Sequence, residues 1–199
     1  MASVAGMTQP LDVEIRTMTE ADSDAVLAVV GAAFADEPEV VPLQRALMAR
    51  HDNHGYVAVL DDRVVGHVGL TRCWIDAEPR LVEALVLSPL SVAPEVQRRG
   101  VGSALLRHAV AAADRAGAPS VFLEGDPAYY SRQGWRPVAE LGITPASPRI
   151  PAPACQHVRL AAYEDWMRGP LVYPDTFWQF DCVGLRGERL EGARALFGL

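Results

Sequence analysis

With 199 residues, 50% of them hydrophobic, the chain can bury a substantial core and is read as one domain with an appendage. Its 25 acidic against 18 basic residues leave a net charge of −7, which excludes bulk nucleic-acid binding and suits cationic amines. Three cysteines without a close pair, Cys73, Cys155 and Cys182, argue against a disulfide framework or a cysteine metal site, and no metal is expected. Residues 1–11 read as a flexible leader without a basic or apolar signal region. No run of about eighteen apolar residues occurs, so the expectation is a cytoplasmic protein with no membrane partner.

Val13 and Ile15 alternate as a short strand. Thr19 with Asp22 three residues on reads as a capped helix start, and Ala25, Val26, Val29, Val30 and Phe34 form its apolar face. A second helix is expected over residues 41–50. Residues 56–60 and 64–73 then form a hairpin about Asp61-Asp62-Arg63. His51 and His54 have metal-like spacing but lie in a turn-like stretch with no third ligand nearby. Residues 83–92 make a buried strand, and residues 103–116 an amphipathic helix ended by Gly117 and Pro119. Val121-Phe122-Leu123 is a short strand, followed by a brief helix up to Gly134-Trp135. Residues 137–153 read as a proline-rich loop with an extended piece at 139–143. Strands are expected over 157–163 and 171–180, and residues 181–199 form an extension with a helix near 188–197.

Two features of the strand and the loop after it carry chemistry. Pro89 has no N–H to donate, so the strand cannot pair normally on both edges there. The apolar parity also shifts, from Leu85 and Leu87 to Leu90 and Val92, as one inserted residue at a bulge would cause. The loop Gln97-Arg98-Arg99-Gly100-Val101-Gly102 then enters a helix directly at Ser103. Helix N-termini present unpaired N–H groups and a positive dipole end, so this loop reads as an anion cradle. No Lys follows Gly102 as a mononucleotide loop requires, and Leu105 stands where a dinucleotide fingerprint needs a third glycine.

Gln97, Gly100 and Gly102 satisfy Q/R-x-x-G-x-G/A, and on these residues the chain resembles the GNAT superfamily of N-acetyltransferases. Tyr130, four residues before Gly134-Trp135, fits a second family spacing, and Gly125-Asp126-Pro127 with Tyr129-Tyr130 resembles a small bacterial subgroup. The resemblance implies an α/β fold. Its sheet is mixed and mostly antiparallel, of about seven strands, with splayed central parallel strands and helices on both faces. The acetyltransferase domain would span residues 12–180. The resemblance further implies that the backbone of Leu90, Ser91 and Val92 meets the pantetheine arm of acetyl-CoA. Gln97, Arg98, Arg99, Gly100, Val101, Gly102 and Ser103 would hold its pyrophosphate, and Tyr130 would serve the departing thiolate.

For the attacking amine, Glu83 is the first carboxylate considered as a base, because it shares strand parity with Leu85 and Leu87. A solvated carboxylate at the strand start is the competing reading; Glu37, Glu39 and Glu124 are alternatives, and Ser88 could order a water. The expected activity is transfer of an acetyl group from acetyl-CoA to a primary amine of a small molecule by direct attack. A protein or peptide amine, or a non-catalytic acyl-CoA sensor, stands beside it. A homodimer is compatible with this reading.

Overall fold

The computed structural model describes residues 11–199; the expected leader lies, apart from Leu11, outside them. In chain order the elements begin with β1 (Glu14–Thr17), α1 (Ser23–Ala33), α2 (Val40–Met48), β2 (Asn53–Leu60), β3 (Arg63–Ala77) and β4 (Arg80–Val92). They continue with α3 (Val101–Arg115), β5 (Ser120–Glu124), α4 (Pro127–Tyr130), β6 (Arg136–Pro137), β7 (Cys155–Arg159), β8 (Leu171–Val172), α5 (Asp175–Gln179) and α6 (Gly187–Phe197). The strands form one eight-stranded sheet in the order β1-β2-β3-β4-β5-β7-β6, with β8 added to β3. Every pairing is antiparallel except β4 with β5.

The helix start at Thr19 is built from the pattern that announced it. The Asp22 carboxylate accepts the Thr19 N–H and hydroxyl, both at 2.8 Å, and takes a bidentate pair from Arg16 at 2.7 and 2.8 Å. These donors hold its carboxyl well below the usual range. Asp61 and Asp62 adopt φ of 48° and 60°, the left-handed pair that suits a two-residue hairpin turn, so Arg63 already belongs to β3.

Of the three apolar clusters, the two largest lie on opposite faces of the sheet. Leu85, Leu87, Leu90 and Val92 of β4 belong with Leu105, Leu106, Ala109 and Ala113 of α3. Val82, Ala84 and Val86 face the other side with Leu43 and Leu47 of α2 and the C-terminal layer around Tyr173 and Phe177. The parity change in β4 therefore keeps the same face on α3 across the irregularity. Three expectations differ from the structure: the strand read over 157–163 is Cys155–Arg159 and ends before Leu160, whose N–H donates to the Pro119 carbonyl at 3.0 Å. Residues 139–143 are not extended: a 3₁₀ turn spans Val138–Leu141. The strand at 171–180 stops after Val172, because Pro174 caps α5 and Asp175 accepts the Thr176 N–H at 2.9 Å.

His67 on β3 is fully buried beneath α2, with Nε2 3.4 Å from Gln44 Nε2 and Nδ1 without a partner among the described residues. Burial pushes its pKa down to about 3. Between that value and the unfolded value near 6.5, the unfolded chain binds the extra proton, so this residue's contribution to stability is lost as pH falls. The stability gap between the wild type and His67→Gln should shrink from pH 6.5 to pH 5, at no more than about 1.4 kcal/mol per pH unit. Denaturant unfolding of both proteins across that range checks it.

Candidate active site

The site begins where β4 and β5 part. They pair at Leu85 with Val121 and at Val86 with Phe122, and no pair joins them beyond Val86. On its other edge β4 keeps to β3, but Leu70 pairs with Leu87 while Val68 pairs with Leu90. One residue of β3, Gly69, thus opposes two of β4, and the extra residue falls at Ser88-Pro89, whose peptide bond is cis. Such a bulge turns the strand and frees backbone groups on the side its parallel neighbour has left.

On the α3 side of this fork, the chain after β4 folds into a cradle. Gln97 Nε2 donates to the Val92 carbonyl at 3.0 Å, which ties the loop back to the strand end. Arg98 and Gly100 take φ of 58° and 85°, and Gly100 caps α3. The first N–H groups of that helix, at Val101, Gly102 and Ser103, therefore face outward without intrahelical acceptors. The Arg99 carbonyl accepts the Leu11 N–H at 3.0 Å, whereas its Nε is buried with no partner among the described residues. A buried donor left unpaired costs roughly 1–3 kcal/mol, more for a charged group, so an anion at this helix start fits the residues present. Arg98 is exposed.

The opposite side of the fork opens into a cavity of about 600 Å³. Its floor is Val86 to Leu90 of β4 and Glu124 to Asp126 at the end of β5, and its walls include Phe34, Val40, Leu43 and Phe177. The segment that the sequence sets apart as an extension forms the remaining wall, through Gly184, Arg189 and Leu196 among others. Two backbone N–H groups hold that segment in place: Gly184 donates to the Glu124 side-chain Oε2 and Leu185 to the Arg149 carbonyl, each at 2.9 Å. Arg189 of α6 pairs with Glu37 at 2.9 Å and Glu39 at 3.7 Å. Nothing local in residues 181–199 signals this role, which depends on partners more than thirty positions away.

Tyr130 lines the cavity. Its ring lies edge-on to Tyr129 and Trp135, with centroids at 4.9 and 6.0 Å, and burial raises its phenol above the ordinary value. A Cβ at Gly125 would sit 2.2 Å from its Cε2, so the glycine is what allows the ring this close to the backbone. Tyr129 points elsewhere: its hydroxyl would be 3.0 Å from a Cβ on Gly102, at the start of α3. Glu83 is not brought to the cavity. It stands three residues inside the longer β4 opposite Trp74, exposed and 3.6 Å from Arg72. Among the described residues no group of three or more His, Cys, Asp or Glu side chains could hold a metal ion, and no helix is long and apolar enough to cross a membrane.

An open, mostly antiparallel sheet that forks at its one parallel pair, with a glycine-capped helix after the forked strand, has the architecture of an acetyltransferase. Residues 14–138 match the acetyltransferase (GNAT) domain, and the chain belongs to that family. Over 95 residues it is 35% identical to the uncharacterized N-acetyltransferase YjhQ of Escherichia coli, a stretch that is 48% of this chain and 52% of that one. The chain thus matches about half the length of this curated relative. Among solved structures, the GNAT family N-acetyltransferase YhbS of Escherichia coli, in complex with CoA, superposes with a TM-score of 0.75 at 24% identity, over 86% of this chain and 95% of that one. A GNAT family acetyltransferase from Brucella melitensis, in complex with acetyl-CoA, gives 0.63 at 25% identity over 83% and 98%.

Proposed function

We propose that the protein transfers an acetyl group from acetyl-CoA to a primary amine of a small molecule by direct attack. The observation that carries this reading is the fork: β4 leaves β5 after Val86, with an anion cradle on one side and the Tyr130 cavity on the other. The complexes of the two relatives with CoA and acetyl-CoA support the donor. In this reading the α3 N–H groups and Arg99 hold the pyrophosphate, and Gln97 keeps the loop closed on Val92. The backbone of Leu90, Ser91 and Val92 pairs with the pantetheine arm, and one N–H there polarises the thioester carbonyl. That donor cannot be Pro89.

An amine lone pair attacks the carbonyl carbon, the C–S bond breaks, and Tyr130 faces the thiolate. Against a thiol near 8.5, a phenol of ordinary pKa 10 already makes full proton transfer uphill by about 2 kcal/mol, and burial of Tyr130 adds to this. The hydroxyl therefore acts by hydrogen bonding to the thiolate, which leaves as CoA thiol after taking a proton from solvent. A small acceptor suits a cavity of about 600 Å³ walled on one side by α6.

Titration calorimetry with acetyl-CoA, followed by free-thiol release across a panel of small amines and peptides, tests the reading. Saturable heat with acetyl-CoA and thiol release dependent on a small amine are expected. Peptide-dependent release would move the acceptor to a protein amine, binding without turnover on any amine would make the chain an acyl-CoA sensor, and no binding would remove the reading.

A further inference from the structure

We propose that Glu124, and not a carboxylate on β4, receives the proton of the acceptor amine, and that this amine is carried on an apolar body. The inference rests on the acetyltransferase reading and extends it to the acceptor's side of the reaction. Glu124 ends β5 at the fork and lines the cavity that Tyr130 also lines. Its Oε2 is committed to the Gly184 N–H, while Oε1 takes no hydrogen bond from the described residues. One oxygen is thus fixed, and the carboxyl is held at the cavity beside the buried Tyr173 hydroxyl. A base must be within hydrogen-bond reach of the proton it removes, and among the cavity-lining carboxylates this one is built into the floor beside the thioester's place.

The other carboxylates around the cavity are differently engaged. Glu37 and Glu39 face Arg189, and Asp181 takes hydrogen bonds from Arg149 and Arg186. Asp126 accepts the Ala128 N–H at 2.8 Å as the cap of α4. Around Glu124 itself stand Tyr173 after β8, Cys155 on β7, Cys182 before α6 and Arg149. The Tyr173 hydroxyl is buried beside it without a well-formed hydrogen bond, and both thiols are pushed up to about 12 and stay neutral. Arg149 is therefore the cation in this set, and it is shared with Asp181. Burial outweighs it and the Gly184 N–H, and raises the Glu124 carboxyl to about 7. A base near neutrality suits an alkylammonium better than an ordinary carboxylate does.

The balance is simple. An N–H bond of the ammonium breaks and an O–H bond forms on Glu124; the freed lone pair attacks acetyl-CoA, the C–S bond breaks, the second N–H proton passes to water as the amide forms, and Glu124 releases its own proton to water through the cavity mouth. Beyond the amine, the substrate meets Phe34, Val40, Leu43, Phe177 and Leu196. This apolar lining favours a monoamine such as 2-phenylethylamine over spermidine or glucosamine.

The test uses the full chain with 2-phenylethylamine, spermidine and glucosamine as probes. For wild type with the preferred amine, kcat/KM should rise through an inflection near pH 7, separate from the amine's own near about 10. Glu124→Gln keeps an acceptor for the Gly184 N–H, so the fold should stand, while kcat/KM falls about a hundredfold or more and the inflection near 7 disappears. Equal rates and pH profiles for wild type and Glu124→Gln overturn the proposal, as does a wild-type profile without an inflection between pH 6 and 8, which needs no variant at all. A preference for spermidine or glucosamine overturns the apolar substrate class. A wild type that turns over no amine instead overturns the acetyltransferase reading on which the proposal stands.

Discussion

Tyr130→Phe should lower amine-dependent turnover by about a hundredfold while leaving acetyl-CoA affinity and the thermal midpoint near the wild-type values. The lower end of the range for such groups applies because the hydroxyl hydrogen-bonds the thiolate without giving up its proton. The ring keeps its edge-on contacts with Tyr129 and Trp135, and no protein group among the described residues hydrogen-bonds its hydroxyl, so the deletion strands no partner. Because the raised phenol stays protonated, the loss should be the same from pH 6 to pH 9. Tyr129→Phe gives the contrast. Its hydroxyl sits against Gly102 at the start of α3, so its removal should act on the KM for acetyl-CoA and spare kcat. Steady-state kinetics with one verified amine separates the two; full activity in Tyr130→Phe would mean that the departing thiolate needs no hydrogen bond from Tyr130.

How far the fold could be read from residues depends on how local the cause is. The bulge in β4 is legible because one proline and one change of parity act within eight residues, and the β3 pairing follows from them. The α3 cradle is equally local, since a glycine with positive φ at a helix cap is needed whatever lies elsewhere. Residues 171–180 were harder, because Leu171, Tyr173 and Phe177 satisfy an apolar pattern in either state; Pro174 followed by Asp175 was the available helix signal. Glu83 lies three residues inside β4 and outside the cavity lining, because β4 starts earlier, at Arg80, than the apolar pattern shows. The wall made by residues 182–197 was not legible at all. It exists through Gly184 on Glu124, Leu185 on Arg149 and Arg189 on Glu37, contacts that no local period encodes.

Trp135→Ala should cost about 3–5 kcal/mol, a large share of the roughly 5–15 kcal/mol that holds an ordinary domain together. Trp135 is 1% exposed and among the largest fully buried side chains, in the cluster that joins α3 to the sheet. Its backbone N–H donates to the Tyr130 carbonyl at 3.2 Å after Gly134 turns the chain with a φ of 86°, so backbone and ring fix the same corner. Removing the indole leaves a void bordered by the Tyr130 ring and apolar side chains, which cannot close without moving α4. For a chain of this size the thermal midpoint should fall by about 6–20 °C. Activity should fall with it even at temperatures where the variant is folded, because the Tyr130 ring loses the edge it rests on. Trp135→Phe, which keeps most of the apolar volume, should recover much of both. Thermal unfolding and kcat measured on the three proteins decide the matter: a small shift in Trp135→Ala would mean that the aromatic after Gly134 does not support the corner on which Tyr130 is placed.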